Sequence, residues 1–426
     1  MRRKACSCTD RQYAARRPGS LAGARTVLSL LVTLIVILPA ALGGCALFGR
    51  PAGDEAAIEE PSENAPALSP GQISIKVQVA IDAHVNSDEI DDREVVFTVQ
   101  GTVSQGIVTV EGESSDESLK QALLADLRAI PGVTVVDNID ILPPASLGDM
   151  TYGIVKVPVA DLGDGPKSAG GSHTVTQARL GDVLRLLKEQ DGWFLAQMED
   201  KYLGWIGPES IHRCGESEVD AYRAGRVALI VSKTAPMLDA PGGGPLFSQE
   251  LVQGSILSIR DKGPEWVRLQ VPGGTDGWVE VSHIEEYPSI EEAFGEEKGA
   301  EAVIATAKQY LGLPYLWGGT TAYGFDCSGL TQYAMKMNGY RIRRDSDMQY
   351  EQGEIVETRA DLRPGDLVFF QTYRKGPSHV GIYIGDSRYI QSGGNTGVTI
   401  CSFDPSHPEY SATLDKAYLG ARRIIK

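Results

Sequence analysis

Hydrophobic and polar residues alternate between positions 73 and 81, and this pattern predicts the first β-strand of the chain. The apolar positions of this strand are Ile73, Ile75, Val77, Val79 and Ile81. Two more strands are predicted over 95–103 and 107–111, a helix starts at Ser118, and a last strand covers 133–141. Residues 71–145 are therefore expected to form a small α+β domain.

An internal repeat with an offset of 73 residues follows this domain. Gly181, Trp193, Trp205 and Ile211 recur without a gap as Gly254, Trp266, Trp278 and Ile284. Four equal spacings are hard to obtain by chance and predict two copies of one module. Each copy contains short apolar runs broken by Gly, Pro and Asp, which favours a small β-barrel. The first barrel is expected over 150–216 and the second over 222–288.

Nearer the C terminus, a glycine-rich loop leads into a predicted helix at a cysteine. The apolar residues at helical spacing are Leu330, Tyr333, Ala334 and Met337, so the helix begins at or just before Cys327. A thiol at a helix N-terminus lies at the positive end of the helix dipole, where its pKa falls from about 8.5 toward roughly 3.5–7.5. The pattern therefore predicts a nucleophilic thiolate at Cys327.

A general base for this nucleophile is expected at His379, which alone among the six histidines opens a clear strand. The apolar residues that alternate along this strand are Val380, Ile382 and Ile384. A histidine at the start of a buried strand is held rigidly, as a general base must be. The next predicted strand, 387–392, carries Gln391, whose amide oxygen would accept the other ring N–H and fix the tautomer.

The charge balance narrows the classes of partner. Lys and Arg number 40 and Asp and Glu 56, so the formal net charge is −16. An acidic chain of this kind argues against nucleic acid and against an anionic membrane surface as partners. No group of His, Asp or Glu has the spacing of metal ligands, so neither a metal nor a cofactor is predicted.

The N-terminal residues carry an export signal, with a basic start, an apolar run over 27–38 and small residues up to Cys45. The apolar run is shorter than the ~20 residues needed to cross a bilayer. The motif LGGC resembles a bacterial lipobox, which implies removal of residues 1–44 and attachment of lipid to Cys45. Residues 45–70 are rich in Ala, Glu and Pro and predict a flexible tether. The expected product is an exported, membrane-anchored lipoprotein that faces the periplasm or the cell wall.

Several segments within 296–426 resemble the NlpC-type family of cell-wall cysteine peptidases, which has a papain-like α+β fold. They are PYLWGG, GFDCSG, RRDSDMQ, RPGDLVFF and SHVGIYIG. The third catalytic position, often histidine in that family, is Gln391 here, and it would orient the ring without adding charge. The resemblance implies a multidomain α+β chain that comprises the small α+β domain, the two small β-barrels and a C-terminal papain-like peptidase domain.

The segments ahead of this domain resemble other envelope modules. VQGTV, VEGE and PGVTVVDNID are similar to the BON domain of envelope proteins, and LGWIGPESI and DGWVEVSHI are similar to bacterial Src-homology-3-like domains. Two such barrels before the peptidase resemble the γ-D-glutamyl-L-diamino acid endopeptidases, in which the first barrel closes one end of the cleft. The resemblance implies that Tyr202 lies against the substrate amine. His173 stands where the family has an acid, which is a departure from the pattern for a free amine.

The same resemblance implies a reaction and a set of contacts. The Cys327 thiolate would attack the γ-D-glutamyl–diamino acid bond of peptidoglycan stem peptides or muropeptides. The backbone N–H of Cys327 and the hydroxyl of Tyr315 would stabilise the oxyanion. Asp326, Ser328 and Ser346 would contact the dipeptide end of the substrate.

Two other functions stay open at this point. A thiol-dependent amidase or acyltransferase could use the same fold, and an open apolar cleft would favour it over the endopeptidase. A non-catalytic, lipid-anchored envelope binding protein is the third possibility. The intact set of Cys327, His379 and Gln391 argues against a purely binding role.

Overall fold

The computed structural model describes residues 68–87 and 90–426 of the 426-residue chain. The predicted leader over 1–44, the lipidation site Cys45 and residues 46–67 of the tether lie outside the described residues. Across the two described ranges, no helix combines the length and the apolar character needed to cross a membrane.

The N-terminal unit is a three-stranded sheet covered on one face by two helices. Its elements are α1 (Pro70–Val85), β1 (Phe97–Ser104), β2 (Ile107–Ser114), α2 (Glu117–Arg128) and β3 (Thr134–Ile141). Strand β2 lies in the middle, antiparallel to β1 and parallel to β3. Leu123, Leu124 and Leu127 of α2 pack on Val108 and Val110 of β2 to form the core.

The segment predicted as the first strand is helix α1, so that prediction was wrong. Three of its alternating residues are buried at four-residue spacing: Ile73, Val77 and Ile81. Ile75 and Val79 lie on the outer face and are 66% and 62% exposed. An alternation of period two contains a repeat of four, so the same apolar pattern fits either element.

The residues just before the apolar pattern favour the helix. The hydroxyl of Ser69 accepts a hydrogen bond from the backbone N–H of Gln72, and the Gln72 side chain accepts one from the N–H of Ser69. This reciprocal capping box satisfies two donors that the first turn leaves without helical partners. Pro70 stands in the first turn, where its fixed φ suits the helix and its missing N–H costs nothing.

The first repeat copy is a seven-stranded antiparallel sheet. Its strands are β4 (Tyr152–Val155), β5 (Val159–Gly163), β6 (Thr174–Arg179), β7 (Val183–Gln190), β8 (Trp193–Gln197), β9 (Leu203–Ile206) and β10 (Ile211–Cys214). They pair in the order β10-β4-β7-β8-β9-β5-β6. Leu162, Leu184, Phe194 and Ile206 belong to its core.

The second copy follows helix α3 (Glu216–Ala224) and forms a five-stranded sheet with a two-stranded ribbon. Its strands are β11 (Val227–Ile230), β12 (Thr234–Ala235), β13 (Leu251–Val252), β14 (Ile256–Lys262), β15 (Trp266–Gln270), β16 (Asp276–Glu280) and β17 (Ile284–Tyr287). The sheet has the order β16-β15-β14-β11-β17, and β12 pairs with β13.

The 73-residue offset found in the sequence extends to the strands. Strands β7 to β10 start at 183, 193, 203 and 211, and β14 to β17 start at 256, 266, 276 and 284. The bulge between Leu186 and Lys188 in the first copy matches the bulge between Ile259 and Asp261 in the second. The two halves of the repeat therefore share strand positions and a local irregularity.

The C-terminal domain places helices against a six-stranded antiparallel sheet. Its elements, after α4 (Ile290–Phe294), are α5 (Gly299–Lys308), β18 (Thr320–Thr321), β19 (Gly324–Phe325), α6 (Cys327–Lys336), α7 (Ser346–Tyr350), β20 (Glu354–Val356), β21 (Leu367–Phe370), β22 (His379–Gly385), β23 (Arg388–Gly393), β24 (Gly397–Ser402), α8 (Ala412–Ala417) and β25 (Tyr418–Arg423). The sheet order is β20-β25-β21-β22-β23-β24. Helix α6 packs on β22 and β23. The predicted helix start at Cys327 and strand start at His379 are confirmed.

The first repeat copy holds the loop that leads to Cys327. The side-chain oxygen of Gln177, on β6, accepts hydrogen bonds from the N–H of Thr320 at 3.1 Å and the hydroxyl of Thr321 at 3.2 Å. Arg179, two residues further along β6, donates to the carbonyl oxygen of Thr320 at 2.8 Å. All four side chains are buried, so the two parts of the chain share one interior at this point.

Candidate active site

Cys327 is the first residue of α6 and is 9% exposed. The residue before it, Asp326, caps the helix by accepting a hydrogen bond from the N–H of Gly329 at 2.6 Å. At this first helical position the N–H of Cys327 is outside the hydrogen-bond ladder of the helix. The helix therefore presents both a sulfur and a backbone donor at its start.

The thiol of Cys327 is neutral near pH 7. Burial raises its pKa to about 12, and the charge of Asp326 acts in the same direction. The backbone N–H groups of Val380 and Ser328 and the charge of Arg344 oppose this rise. The pKa of Cys327 therefore runs opposite to the fall expected from the helix N-terminus. The physical reason is that the carboxylate of Asp326 occupies the positive end of the helix beside a sulfur that water hardly reaches.

His379 is buried at the start of β22. The N–H of the next residue, Val380, forms a hydrogen bond with the sulfur of Cys327, so the start of β22 lies against the start of α6. The ring of His379 packs against Phe370 with the ring centroids 5.8 Å apart. Burial lowers the pKa of His379 to about 4, although the carboxamide of Gln391 and the charge of Asp326 act against this fall. The imidazole is consequently neutral near pH 7 and able to accept a proton.

Gln391 is fully buried on β23, where it pairs in register with Gly381, two residues after His379. Its amide nitrogen lies 3.5 Å from the hydroxyl of Thr396 and 3.7 Å from the sulfur of Cys401. The carboxamide is close enough to raise the pKa of His379. Even so, Oε1 of Gln391 and Nε2 of His379 reach no partner within hydrogen-bond geometry among the described residues. The side chains of Gln391 and His379 are thus near each other, and Oε1 of Gln391 and Nε2 of His379 are both still able to form a hydrogen bond.

Arg344 forms a buried ion pair directly beside the candidate nucleophile. Its guanidinium donates to both carboxylate oxygens of Asp326, at 3.1 and 2.6 Å, and to the hydroxyl of Ser328 at 2.9 Å. It also donates to the hydroxyl of Thr176 in the first repeat copy at 3.1 Å. Arg344 is 1% exposed. Asp326 and Ser328 are therefore bound to Arg344, whereas the family resemblance implied contacts with the substrate.

Two tyrosine side chains, Tyr315 and Tyr373, lie near enough to Cys327 for its charge to affect their pKa values. Burial raises the pKa of Tyr315, with smaller contributions from the charges of Cys327 and Asp326. Burial and then the charge of Cys327 raise the pKa of Tyr373 to about 12. The exposed rings of Trp317 and Tyr373 meet edge to face with centroids 6.4 Å apart. Sequence reasoning missed Tyr373, which lies in a loop without any pattern.

Ser346 is the first residue of α7 and is buried. Its hydroxyl donates to the carbonyl oxygen of Pro377 at 3.3 Å. Because Pro377 lies two residues before His379, this hydrogen bond ties α7 to the loop that leads into β22. Ser346 is therefore near the candidate base His379, and its hydroxyl is hydrogen-bonded to the backbone of Pro377.

Tyr202, from the first repeat copy, reaches the same region. It is buried between β8 and β9, and its hydroxyl donates to Oδ2 of Asp345 at 3.0 Å. Burial, followed by the charge of Asp345, raises the pKa of Tyr202. Asp345 is the N-cap residue of α7 and thus the neighbour of Ser346. The first copy is consequently hydrogen-bonded to the start of α7 through this tyrosine.

His173, which stands where an acid was expected, lies beside a carboxylate. Its Nδ1 is 3.1 Å from Oδ2 of Asp164, and the imidazole is largely exposed. The pairing supplies an acidic group near this position from the residue that follows β5. In the part of the chain that the structure describes, no three His, Cys, Asp or Glu side chains come together as metal ligands.

The fold and this arrangement define a class of protein, an α+β domain in which a helix that starts at a cysteine packs on a strand that starts at a histidine. Residues 312–420 match the model of the NlpC/P60 family, so the C-terminal domain belongs to this family of cysteine peptidases. The match covers both Cys327 and His379, as well as Gln391.

Relatives extend this assignment upstream of the family domain. The chain is 30% identical over 227 residues to the γ-D-glutamyl-L-lysine dipeptidyl-peptidase of Bacillus cereus, covering 51% of this chain and 66% of that protein. It is 37% identical over 172 residues to dipeptidyl-peptidase 6 of Lysinibacillus sphaericus, covering 38% of this chain and 60% of that protein. The chain thus spans about two thirds or less of the length of these relatives.

A solved structure supports the fold beyond the family domain. The crystal structure of an NlpC/P60 family protein from Bacillus cereus is 24% identical and superposes with a TM-score of 0.56. The similarity covers 65% of this chain and all of that one. At this identity the likeness concerns the fold alone.

Proposed function

We propose that this protein is a lipid-anchored cysteine endopeptidase that hydrolyses the γ-D-glutamyl–diamino acid bond of peptidoglycan stem peptides. The observation that supports the proposal is the contact between the start of α6, at Cys327, and the start of β22, at His379 and Val380. The hydrogen bond from Tyr202 to Asp345, the neighbour of Ser346, supports a part for the first repeat copy. The names of the Bacillus and Lysinibacillus relatives, both dipeptidyl-peptidases, support the choice of bond.

The reaction begins with proton transfer. Because the pKa of Cys327 lies above pH 7 and that of His379 below it, both groups start neutral. His379 takes the proton from Sγ as the sulfur attacks the γ-carbonyl carbon of D-glutamate. The proton transfer and the attack thus occur together, and no stored thiolate is needed.

The oxyanion that forms needs donors positioned before the attack. The N–H of Cys327, which stands outside the helical ladder, and the hydroxyl of Tyr315 are the proposed donors. The protonated His379 then gives its proton to the leaving amine of the diamino acid, which departs and leaves a thioester. Water, deprotonated by His379, hydrolyses the thioester and restores the thiol.

Neighbouring residues would hold these groups in place. Gln391 would accept the ring N–H of His379 through its carboxamide and so fix the tautomer. The Arg344 and Asp326 pair would fix the start of α6, and Ser328 and Ser346 would offer hydroxyls along the peptide. An uncharged orienting group leaves the pKa of His379 low, which suits a neutral base.

The location of the enzyme and its other units form part of the same proposal. The lipobox before Cys45 would place the enzyme outside the cytoplasm on a lipid anchor. The N-terminal unit would be a BON-like envelope domain, and the two repeat copies would be Src-homology-3-like barrels. The peptidoglycan hydrolases and endopeptidases among the relatives are consistent with a cell-wall substrate.

The test is hydrolysis of L-Ala-γ-D-Glu-diamino acid peptides, followed by mass spectrometry of the released diamino acid. Cys327→Ala should abolish release. Cys214→Ala is the matched control, because Cys214 is also a buried free cysteine whose pKa burial raises to about 11, but it lies in the first repeat copy. Release by the Cys327→Ala variant, or no release by the unmodified protein, would contradict the proposal.

A further inference from the structure

The segment between α1 and β1 of the N-terminal unit docks on the first repeat copy and on the C-terminal domain. The carbonyl oxygen of Arg93 accepts a hydrogen bond from the N–H of Leu203 at 2.7 Å, and that of Glu94 accepts one from the side chain of Gln197 at 2.8 Å. Arg343, in the C-terminal domain, donates to the carboxylate of Glu94 at 2.8 Å. This docking carries the side chain of Arg93 to the end of the cleft.

Arg93 pairs there with two carboxylates of the C-terminal domain. Its Nη1 donates to Oδ2 of Asp345 at 2.7 Å and to Oδ1 of Asp347 at 3.1 Å. Its other terminal nitrogen holds Asp91 of its own segment at 2.7 Å. The oxygen of Asp345 that binds Arg93 is the same one that accepts the hydroxyl of Tyr202. The guanidinium of Arg93 and the hydroxyl of Tyr202 thus share one acceptor atom.

This cluster is close to the candidate nucleophile. The pKa of Tyr373 is raised by burial and by the charges of Cys327 and Asp345, and its chain neighbour Arg374 pairs with Asp347 at 2.9 Å. Asp345 also precedes Ser346, whose hydroxyl contacts the loop before His379. A substrate that extends from the sulfur toward Tyr202 would therefore meet Arg93.

Guanidinium groups already occupy the carboxylate acceptors at this end of the cleft. Asp345 and Asp347 face Arg93, and Arg374 donates to Asp347 at 2.9 Å. Carboxylates and a tyrosine hydroxyl are acceptors that suit an ammonium group. With Arg93 in place, a ligand ammonium would have to displace a guanidinium or lie beside a like charge, which costs affinity. An acylated nitrogen carries no charge and meets neither penalty.

We propose that Arg93 is a specificity-determining residue which makes the enzyme favour stem peptides whose alanine nitrogen is acylated over peptides with a free alanine ammonium. The inference rests on the proposed function, since it assumes the γ-D-glutamyl bond as the site of cleavage. It assigns the N-terminal unit a direct part in substrate choice. The chemical class it selects is an amide-blocked peptide, as in a stem peptide still joined to its glycan.

The test compares two substrates with each form of the full chain, L-Ala-γ-D-Glu-diamino acid and its N-acetyl derivative. The measured quantity is the ratio of kcat/KM for the free peptide to that for the acetylated one, in which any loss of folded enzyme cancels. Arg93→Gln removes the charge and should raise this ratio by about tenfold, the order of one partly screened like charge. Arg93→Lys keeps the charge and should leave the ratio low.

Arg343→Gln is the matched control. It removes a neighbouring arginine of the same docking surface, which holds Glu94, Asp91 and Glu351 without contact to Tyr202 or Asp345. Its ratio should equal that of the unmodified chain. An unchanged ratio in Arg93→Gln, or an equal rise in Arg343→Gln, would overturn the inference. Failure to cleave either peptide would instead overturn the proposed bond, so the two failures are distinguishable.

Discussion

Replacing Arg344 with methionine would leave the carboxylate of Asp326 buried without its partner. Methionine keeps much of the length and volume of the side chain but provides no donor. The change removes the hydrogen bonds to both carboxylate oxygens of Asp326, and those to the hydroxyls of Ser328 and Thr176. The lost group is almost entirely inside the molecule, at 1% exposure, so water cannot replace it without local opening.

The magnitude follows from the burial of this pair. Removing one partner of a buried ion pair costs about 3–5 kcal/mol, because the remaining charge is left without compensation. Adding Asp326→Asn to Arg344→Met removes that charge and keeps a side-chain oxygen able to cap α6 through the N–H of Gly329. The double variant should therefore recover about 2 kcal/mol or more of the single loss.

Hydrogen exchange of the α6 amides measures this effect locally, without unfolding of the rest of the chain. A loss of about 3 kcal/mol corresponds to exchange that is at least about a hundredfold faster. The double variant should exchange at least about tenfold more slowly than Arg344→Met alone. Equal exchange rates in the single and double variants would refute the reasoning, since the uncompensated charge would then not be the cause.

The same residues should shift the reactivity of the nucleophile. The charge of Asp326 raises the pKa of Cys327 and that of Arg344 lowers it. Alkylation of Cys327 followed against pH should therefore move to lower pH in Asp326→Asn and to higher pH in Arg344→Met. Shifts of the same sign in both variants would contradict this electrostatic account.

Three further predictions concern stability. The pKa of His379 is about 4 in the folded state and 6.5 in the unfolded state, so the unfolded state binds the proton first as pH falls. The free energy of unfolding of the unmodified chain should therefore fall by about 3 kcal/mol between pH 7 and 4. In His379→Gln this part of the fall should be missing. Parallel pH profiles would contradict this. Ser69→Ala should destabilise α1 by about 1 kcal/mol, measured by hydrogen exchange of its first turns, and unchanged exchange would contradict the cap. Gly181→Ala should lower thermal stability more than Gly254→Ala. Both glycines have positive φ, of 92° and 91°, so the backbone strain is the same. A Cβ at Gly181 would overlap the carbonyl oxygen of Ile256, whereas a Cβ at Gly254 would meet the flexible side chain of Met337 at 3.2 Å. Equal losses would contradict the packing argument.

The success and failure of the sequence predictions have local physical causes. The start of α6 at Cys327 was predictable, because apolar residues at helical spacing follow a glycine-rich loop. The strand at His379 was predictable from its alternation, and the repeat from its constant offset. The segment over 73–81 was predicted incorrectly because its apolar pattern fits two periods, and only the cap at Ser69 favours the helix.

The candidate site was partly accessible in the same way. Cys327, His379 and Gln391 are identified by motifs; in the structure the N–H of Val380 contacts the sulfur of Cys327 and the carboxamide of Gln391 lies near His379. Arg344, Tyr373 and Arg93 were missed. Arg344 and Asp345 directly precede the predicted Ser346 in the segment RRDSDMQ, so charged residues beside a motif serine were the one available signal. Arg93 gave no such signal, because it belongs to the N-terminal unit and lies far along the chain from the motifs of the C-terminal domain.

The sequence by itself determined the local elements, the repeat and the reactive side chains, because caps, turns and apolar periods depend on residues close together along the chain. The tertiary structure decided which charges meet and how strongly water screens them. Arg93 and Asp345 are 252 residues apart in the chain, and Tyr202 and Asp345 are 143 apart. Their contact depends on the docking of whole units, and the neutral state of Cys327 depends on burial that this docking and the packing of α6 create.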